Sequence, residues 1–135
     1  MNAINKLYHT QHSIVQIIQQ AADAMMRQDD DAVVGFFAED AVMIAPSGRF
    51  VGKRAIYEAG HSFNQAYSNI IIKIKEVISC EVNGITKGVI EWSFAETRNS
   101  DGWSHIMEDA IVFEIREGKV TYWREYFDPN QLDLI

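Results

Sequence analysis

The chain has 135 residues, 47% hydrophobic and 23% charged, with 12 basic side chains against 19 acidic ones and a formal charge of −7. This length suits one compact unit, the apolar content argues against intrinsic disorder, and the acidic balance disfavours work on nucleic acid or anionic membrane, which select basic patches. The longest apolar run is five residues, Ala41 to Ala45, far short of the ~20 that span a bilayer. No charged segment leading into an apolar stretch opens the chain, so no signal peptide is expected and a cytoplasmic location follows. Cys80 stands alone, which excludes an intramolecular disulfide and argues against a cysteine-based zinc site.

From Ser13 to Arg27 the apolar positions Ile14, Ile17, Ile18, Ala21, Ala22 and Met25 recur at the spacing of one buried helix face, with Thr10 or Ser13 placed to cap it. The acids Asp29 to Asp31 break that pattern and suit the cap of a second short helix, Ala32 to Phe37, with a turn at Ala38-Glu39-Asp40. Ala41 to Ala45 reads as a short buried strand closed by Pro46-Ser47-Gly48. A third helix is expected from Lys53 to Tyr67, with Ile56, Ala59 and Phe63 inward. Beyond Tyr67 the period falls to two. Four long strands are expected, roughly Asn69–Val82, Thr86–Arg98, Trp103–Arg116 and Lys119–Asp128. Asn83-Gly84, Asn99 to Gly102 and Glu117-Gly118 supply the turns between them. Cys80 falls on an apolar strand face and reads as core. Helices first and an antiparallel meander after make an α+β domain, the helices covering one face of a curved sheet.

The strand faces carry the most informative anomaly. In the second long strand Gly88, Ile90, Trp92 and Phe94 form an apolar face. In the third, Trp103, His105, Met107, Asp109, Ile111, Phe113 and Ile115 share one side, so an aspartate sits among large apolar groups. A four-residue loop between Arg98 and Trp103 places Asp109 opposite Trp92 and Met107 opposite Phe94. A carboxyl group in such surroundings loses hydration and titrates nearer neutrality, which suits a general base or a neutral hydrogen-bond donor. The alternative is that Asp109 reaches water near a strand end, or pairs with Arg124. His105 lies roughly 13 Å along the strand from Asp109, too far for a direct pair, and reads as a polar residue of the pocket rim or of a subunit contact. The histidines show no ligand spacing beyond His9 and His12, so no metal is expected.

The facing of the last strand stays open. A two-residue turn at Glu117-Gly118 puts Tyr126 opposite Asp109 and Asp128 opposite Met107; a bulge at Gly118 flips the parity and turns Trp123, Glu125 and Phe127 inward. Either way a second acid approaches Asp109, although Glu125 and Asp128 are also placed to pair with Arg124 or Lys119. On the third helix Tyr57 and His61 share a flank that could reach a cavity between helix and sheet.

The order of Phe37-Ala38-Glu39-Asp40-Ala41-Val42, Pro46-Ser47-Gly48, Phe50-Val51-Gly52-Lys53 and Glu117-Gly118-Lys119-Val120 leading into Trp123-Arg124-Glu125-Tyr126-Phe127-Asp128 resembles the SnoaL-like branch of the nuclear transport factor two-like superfamily, from about Ser13 to Asp128. The resemblance implies a cone-shaped α+β barrel, about three N-terminal helices on a strongly curved, mainly antiparallel sheet, with a pocket inside the cone and dimerisation through the outer sheet face. Asp109, four before Phe113, is similar in position to the oxyanion-hole aspartic acid of ketosteroid isomerases. The isomerase base would precede Pro46, where this chain has Ala45, and its tyrosine would fall near Ala21. The closing segment Trp123 to Asp128 is similar to that of limonene epoxide hydrolase, whose arginine and second aspartate would fall near Trp92 and Phe94.

One SnoaL-like domain over residues 1–135 is therefore expected, with its core at about 13–128. It would bind a small molecule, either as a cofactor-free acid/base enzyme of isomerase, cyclase or hydrolase type or as a non-catalytic binding or dimerisation module. Asp109 and Asp128 are the candidate catalytic groups. Trp92, Phe94, His105, Met107, Trp123, Tyr126, Phe127, Tyr57 and Met43 are the candidate ligand-binding ones. No cofactor is expected. A homodimer is, since Val89, Ile106, Ala110 and Val112 make the outer face more apolar than solvent requires.

Overall fold

A computed structural model describes the backbone of residues 3–131 and 133–134 and the side chains of residues 13–130; His9 and His12 therefore lie outside the described side chains. The elements run α1 (Ala3–Met26), α2 (Asp30–Val34), β1 (Phe37–Ala45), β2 (Gly48–Val51), α3 (Lys53–Ala66), β3 (Tyr67–Val82), β4 (Ile85–Arg98), β5 (Ser104–Arg116), β6 (Lys119–Tyr126), a 3-10 turn (Pro129–Gln131) and β7 (Asp133–Leu134). The strands lie in the order β2-β1-β6-β5-β4-β3, and β7 pairs with β5 beyond the end of β6. All neighbours are antiparallel except β1 and β6. The three helices cover one face of this curled mixed sheet, the α+β architecture expected. No helix among the described residues is long and apolar enough to cross a membrane.

The buried face of α1 carries Ile14, Ile18, Ala21 and Ala22, as its periodicity requires. The helix begins at Ala3, ten residues before Ser13, so neither Thr10 nor Ser13 caps it. Asp29 does cap α2, its carboxylate accepting from the Ala32 N–H at 3.1 Å. That helix ends at Val34, however, and Phe37 opens β1 instead of closing a helix. The reason is tertiary. Phe37 pairs with Val120 and packs edge-on against Trp123, and this burial outweighs local helix preference. β1 runs straight through the expected turn at Ala38 to Asp40, with its pairing to β6 interrupted there. β2, which the sequence does not announce, folds back on β1 after Pro46-Ser47.

The β4–β5 register is the one its four-residue loop dictates, Trp92 opposite Asp109 and Phe94 opposite Met107. β3 shifts register between Ile74 and Glu76. Ile70 and Ile72 point inward before the shift. After it Ile78 and Cys80 turn outward, so Cys80 is exposed and not core. Gly88 sits where β3 and β5 crowd β4. A Cβ there would stand 2.3 Å from the Ile78 carbonyl oxygen and 2.7 Å from Phe113 Cζ, so only glycine fits.

Candidate functional site

Between the helices and the concave sheet face lies a cavity of about 460 Å³. α3 contributes Ile56, Tyr57 and Phe63, and β1 contributes Met43 with Ala45 beside it. Phe94 and Met107 face it from the central hairpin, and Trp123 and Phe127 from the last strand and the segment after it. Aromatic packing sets this wall: Phe63 and Phe94 meet edge-on with centroids 6.1 Å apart, and Trp92 tilts against Trp123 at 5.7 Å.

Polar side chains reach the cavity from α2 and α3, as Asp30 and Asn64, and the buried titratable cluster comes from β4, β5 and β6. Asp109 is 5% exposed in the middle of β5 and accepts a hydrogen bond at Oδ2 from Trp92 Nε1 at 3.2 Å; its Oδ1 has no partner among the described residues. Burial pushes its carboxyl group up, against the Trp92 N–H, which favours the ionised form. Glu125 lines the same cavity and accepts from Trp123 Nε1 at 3.2 Å. Burial, then the charge of Asp109, pushes it up to about 7. Glu96, 5% exposed, is raised to about 7 by the same two causes in the same order. His105, 3% exposed, joins Nε2 to Glu96 Oε1 at 2.8 Å, while burial and then the Arg98 guanidinium push its pKa down. The charge of Asp109 raises both glutamates, and that of Glu96 raises Glu125 further, so ionising one acid of the cavity opposes ionising the next.

The candidates sort as follows. Asp109, Phe94, His105, Met107, Trp123, Phe127, Tyr57 and Met43 all line the cavity. Trp92 is 0% exposed and lies behind the wall, where it reaches Asp109 through its N–H. Tyr126 and Asp128 are not on the cavity. Tyr126 is 47% exposed under Arg124, and with Asp128 it borders a second hollow on the other side of Asp109 and Glu125. The turn at Glu117-Gly118 is the tight two-residue form, with Glu117 and Gly118 both at positive φ. The register then slips one pair further on, between Glu114 and Ile115. A bulge near Thr121, and not at Gly118, therefore sends Trp123 and Glu125 inward. Arg124 does not reach Asp109, and Lys119 binds the Gly35 carbonyl, so Glu125 keeps its carboxyl group for the cavity. His105 is buried rather than at a rim, because its partner Glu96 stands opposite on β4.

Glu96 was missed from sequence. Its signal was present: it is the next residue on the face of Trp92 and Phe94, and the same hairpin register sets it against His105. Tyr57 stacks on His61 at 6.1 Å, and His61 Nδ1 meets Asp30 at 2.9 Å, which ties α2 to α3 beside the cavity. No three His, Cys, Asp or Glu side chains among the described residues are grouped to hold a metal ion.

The profile of the SnoaL-like domain matches residues 18–123. The chain belongs to the SnoaL-like family. No curated protein sequence matches it. Among solved structures, this SnoaL-like chain is similar to a hexachlorocyclohexane dehydrochlorinase (LinA) type 2, with TM-score 0.84 and 12% identity over 99% of this chain and 93% of that one. A protein provisionally assigned as an aromatic ring hydroxylase, from Novosphingobium aromaticivorans, gives 0.81 and 21% over 91% of each chain. A protein provisionally assigned as a polyketide cyclase, from Xanthomonas campestris pv. campestris, gives 0.72 and 18% over 89% and 93%. At these identities the neighbours share the fold alone, and the different activities they are named for show that the fold does not choose among them.

Proposed function

We propose that this SnoaL-like protein is a cofactor-free acid/base enzyme acting on a small apolar, carbonyl-bearing compound. The observation that carries this reading is Asp109, buried on an apolar cavity with one oxygen held by Trp92 and the other unpartnered among the described residues. Asp109 Oδ1 takes a proton from carbon next to the carbonyl group while protonated Glu125 gives one to the carbonyl oxygen; the enol then returns its proton to Glu125 as Asp109 reprotonates carbon. The raised carboxyl groups suit both halves of that exchange near neutral pH. Asp128, on the outer hollow, has no part in it.

The test is α-proton exchange of small cyclic ketones in deuterated water, followed by proton NMR. The wild-type protein should accelerate exchange over buffer, and Asp109→Asn should remove about 10²-fold or more of that acceleration while melting as wild type does. Acceleration unchanged in Asp109→Asn refutes the assignment. Binding of ketones with no exchange in either protein supports a second reading, a non-catalytic binding module. Ala45 and Ala21 favour it, standing where the isomerase pattern has its base and its phenol. In either case we propose a cytoplasmic homodimer joined through the outer sheet face, where Ile78, Val89 and Val112 are exposed; a monomer-sized species in sedimentation at micromolar concentration refutes the dimer.

A further inference from the structure

We propose that the Glu96–His105 pair is a second anchoring point of the cavity, taking a ligand oxygen at His105 Nδ1, so that the site selects apolar ligands with an oxygen function at each end. The inference rests on the preceding reading only in placing the other end of the ligand at Asp109.

Both side chains line the cavity, and each leaves one polar atom unsatisfied among the described residues, Glu96 Oε2 and His105 Nδ1. Buried polar atoms without partners oppose folding, so a pair of them on a cavity wall marks a place where a bound molecule completes the hydrogen bonding. The ring is held for that purpose. Glu96 grips Nε2, and Trp103 lies against the imidazole at 4.2 Å with the Arg98 guanidinium 5.0 Å over the indole. His105 and Asp109 stand roughly 13 Å apart along β5, a separation that the curl of the sheet narrows toward the cavity. A flat two-ring skeleton substituted at both ends spans such a distance.

The proton shared within the pair decides what Nδ1 offers. With Glu96 protonated, its O–H donates to Nε2, the ring proton sits on Nδ1, and Nδ1 donates to a carbonyl oxygen. With Glu96 ionised, Nε2–H donates to the carboxylate and bare Nδ1 accepts from a hydroxyl group. The Glu96 carboxyl group, raised to about 7, places this exchange near neutral pH, and burial of the imidazole favours its uncharged form. The charged and titratable groups acting on the pair are Arg98 from β4, itself bound to Asp101 and near Tyr67, Asp109 from β5 and Glu125 from β6.

Two measurements test the proposal. Nitrogen-15 NMR of the His105 ring from pH 5.5 to 8.5 should show a neutral imidazole whose proton moves from Nδ1 to Nε2 as pH rises; a fixed tautomer or a cationic ring overturns the proposal. Tryptophan fluorescence at pH 8 should show 4,4′-dihydroxybiphenyl binding about tenfold tighter than 4-hydroxybiphenyl, the effect of one added hydrogen bond. The double variant Glu96→Leu/His105→Phe, which replaces both polar partners with apolar groups, should level the two probes. Equal affinity in the wild-type protein overturns the second anchor and leaves Asp109 untouched, since α-proton exchange judges that residue separately. A preference lost in the double variant but kept in Asp109→Asn supports the anchor and refutes Asp109 as the other end.

Discussion

Replacing Glu96 with glutamine should make the protein more stable, and only above a certain pH. Glu96 is raised from 4.5 to about 7 in the folded chain by burial and by the charge of Asp109. A folded carboxyl group that holds its proton more tightly than the unfolded one stabilises the protein below pH 4.5. That stability is lost as pH climbs to about 7, because the folded state binds more protons across that window. At 1.36 kcal/mol per pH unit, the loss is about 3 kcal/mol, a large share of a typical domain's ~5–15 kcal/mol. Glutamine keeps the volume and can donate N–H to His105 Nε2, yet it never ionises. Urea unfolding at pH 5 and pH 8 reads the difference. The midpoints of wild type and Glu96→Gln should lie much closer at pH 5, where about 1 kcal/mol of that loss has accrued. At pH 8 the variant should unfold about 1–3 M later, given a urea slope of ~1–3 kcal/mol per molar. Glu125 adds a parallel loss in both proteins. His105, pushed down, takes stability away as pH falls below its ordinary value, also in both. An equal midpoint shift at the two pH values, or a variant weaker at pH 8, refutes the assignment of Glu96 as a buried, protonated acid.

Trp92→Phe keeps most of the apolar packing and removes the one N–H that steadies the Asp109 carboxylate, so the Asp109 titration, followed by carbon-13 NMR, should move up by roughly one pH unit; no movement means that this hydrogen bond does not act in solution. Gly88→Ala should destabilise the fold by about 1–3 kcal/mol in chemical denaturation, because the new methyl group meets the Ile78 carbonyl oxygen and the Phe113 ring and one strand must yield.

The cavity has an apolar wall with a few acids at its base, and Trp92, Trp123 and His105 supply the hydrogen bonds that orient them. Those acids come from β4, β5 and β6, so their mutual repulsion and their raised titration arise only when the sheet assembles. An isolated hairpin would leave each of them hydrated and ordinary.

Sequence alone determined the elements whose partners lie close along the chain. The four-residue loop after Arg98 and the alternation on both sides of it set the β4–β5 register, which put Asp109 against Trp92 and made it the leading candidate. The acids after Gln28 capped α2 as their spacing requires. Tertiary structure decided whatever depends on contacts between distant segments. Phe37 became a strand residue because Val120 and Trp123 wait for it more than eighty residues away. The bulge near Thr121 chose Glu125 over Tyr126 and Asp128, and the shift near Lys75 turned Cys80 to solvent. A strand has period two, so one extra residue reverses every side chain beyond it, and alternation read along one chain does not locate that residue. The position of each bulge follows instead from how the curled sheet closes over the helices, a balance of packing that exists only in three dimensions.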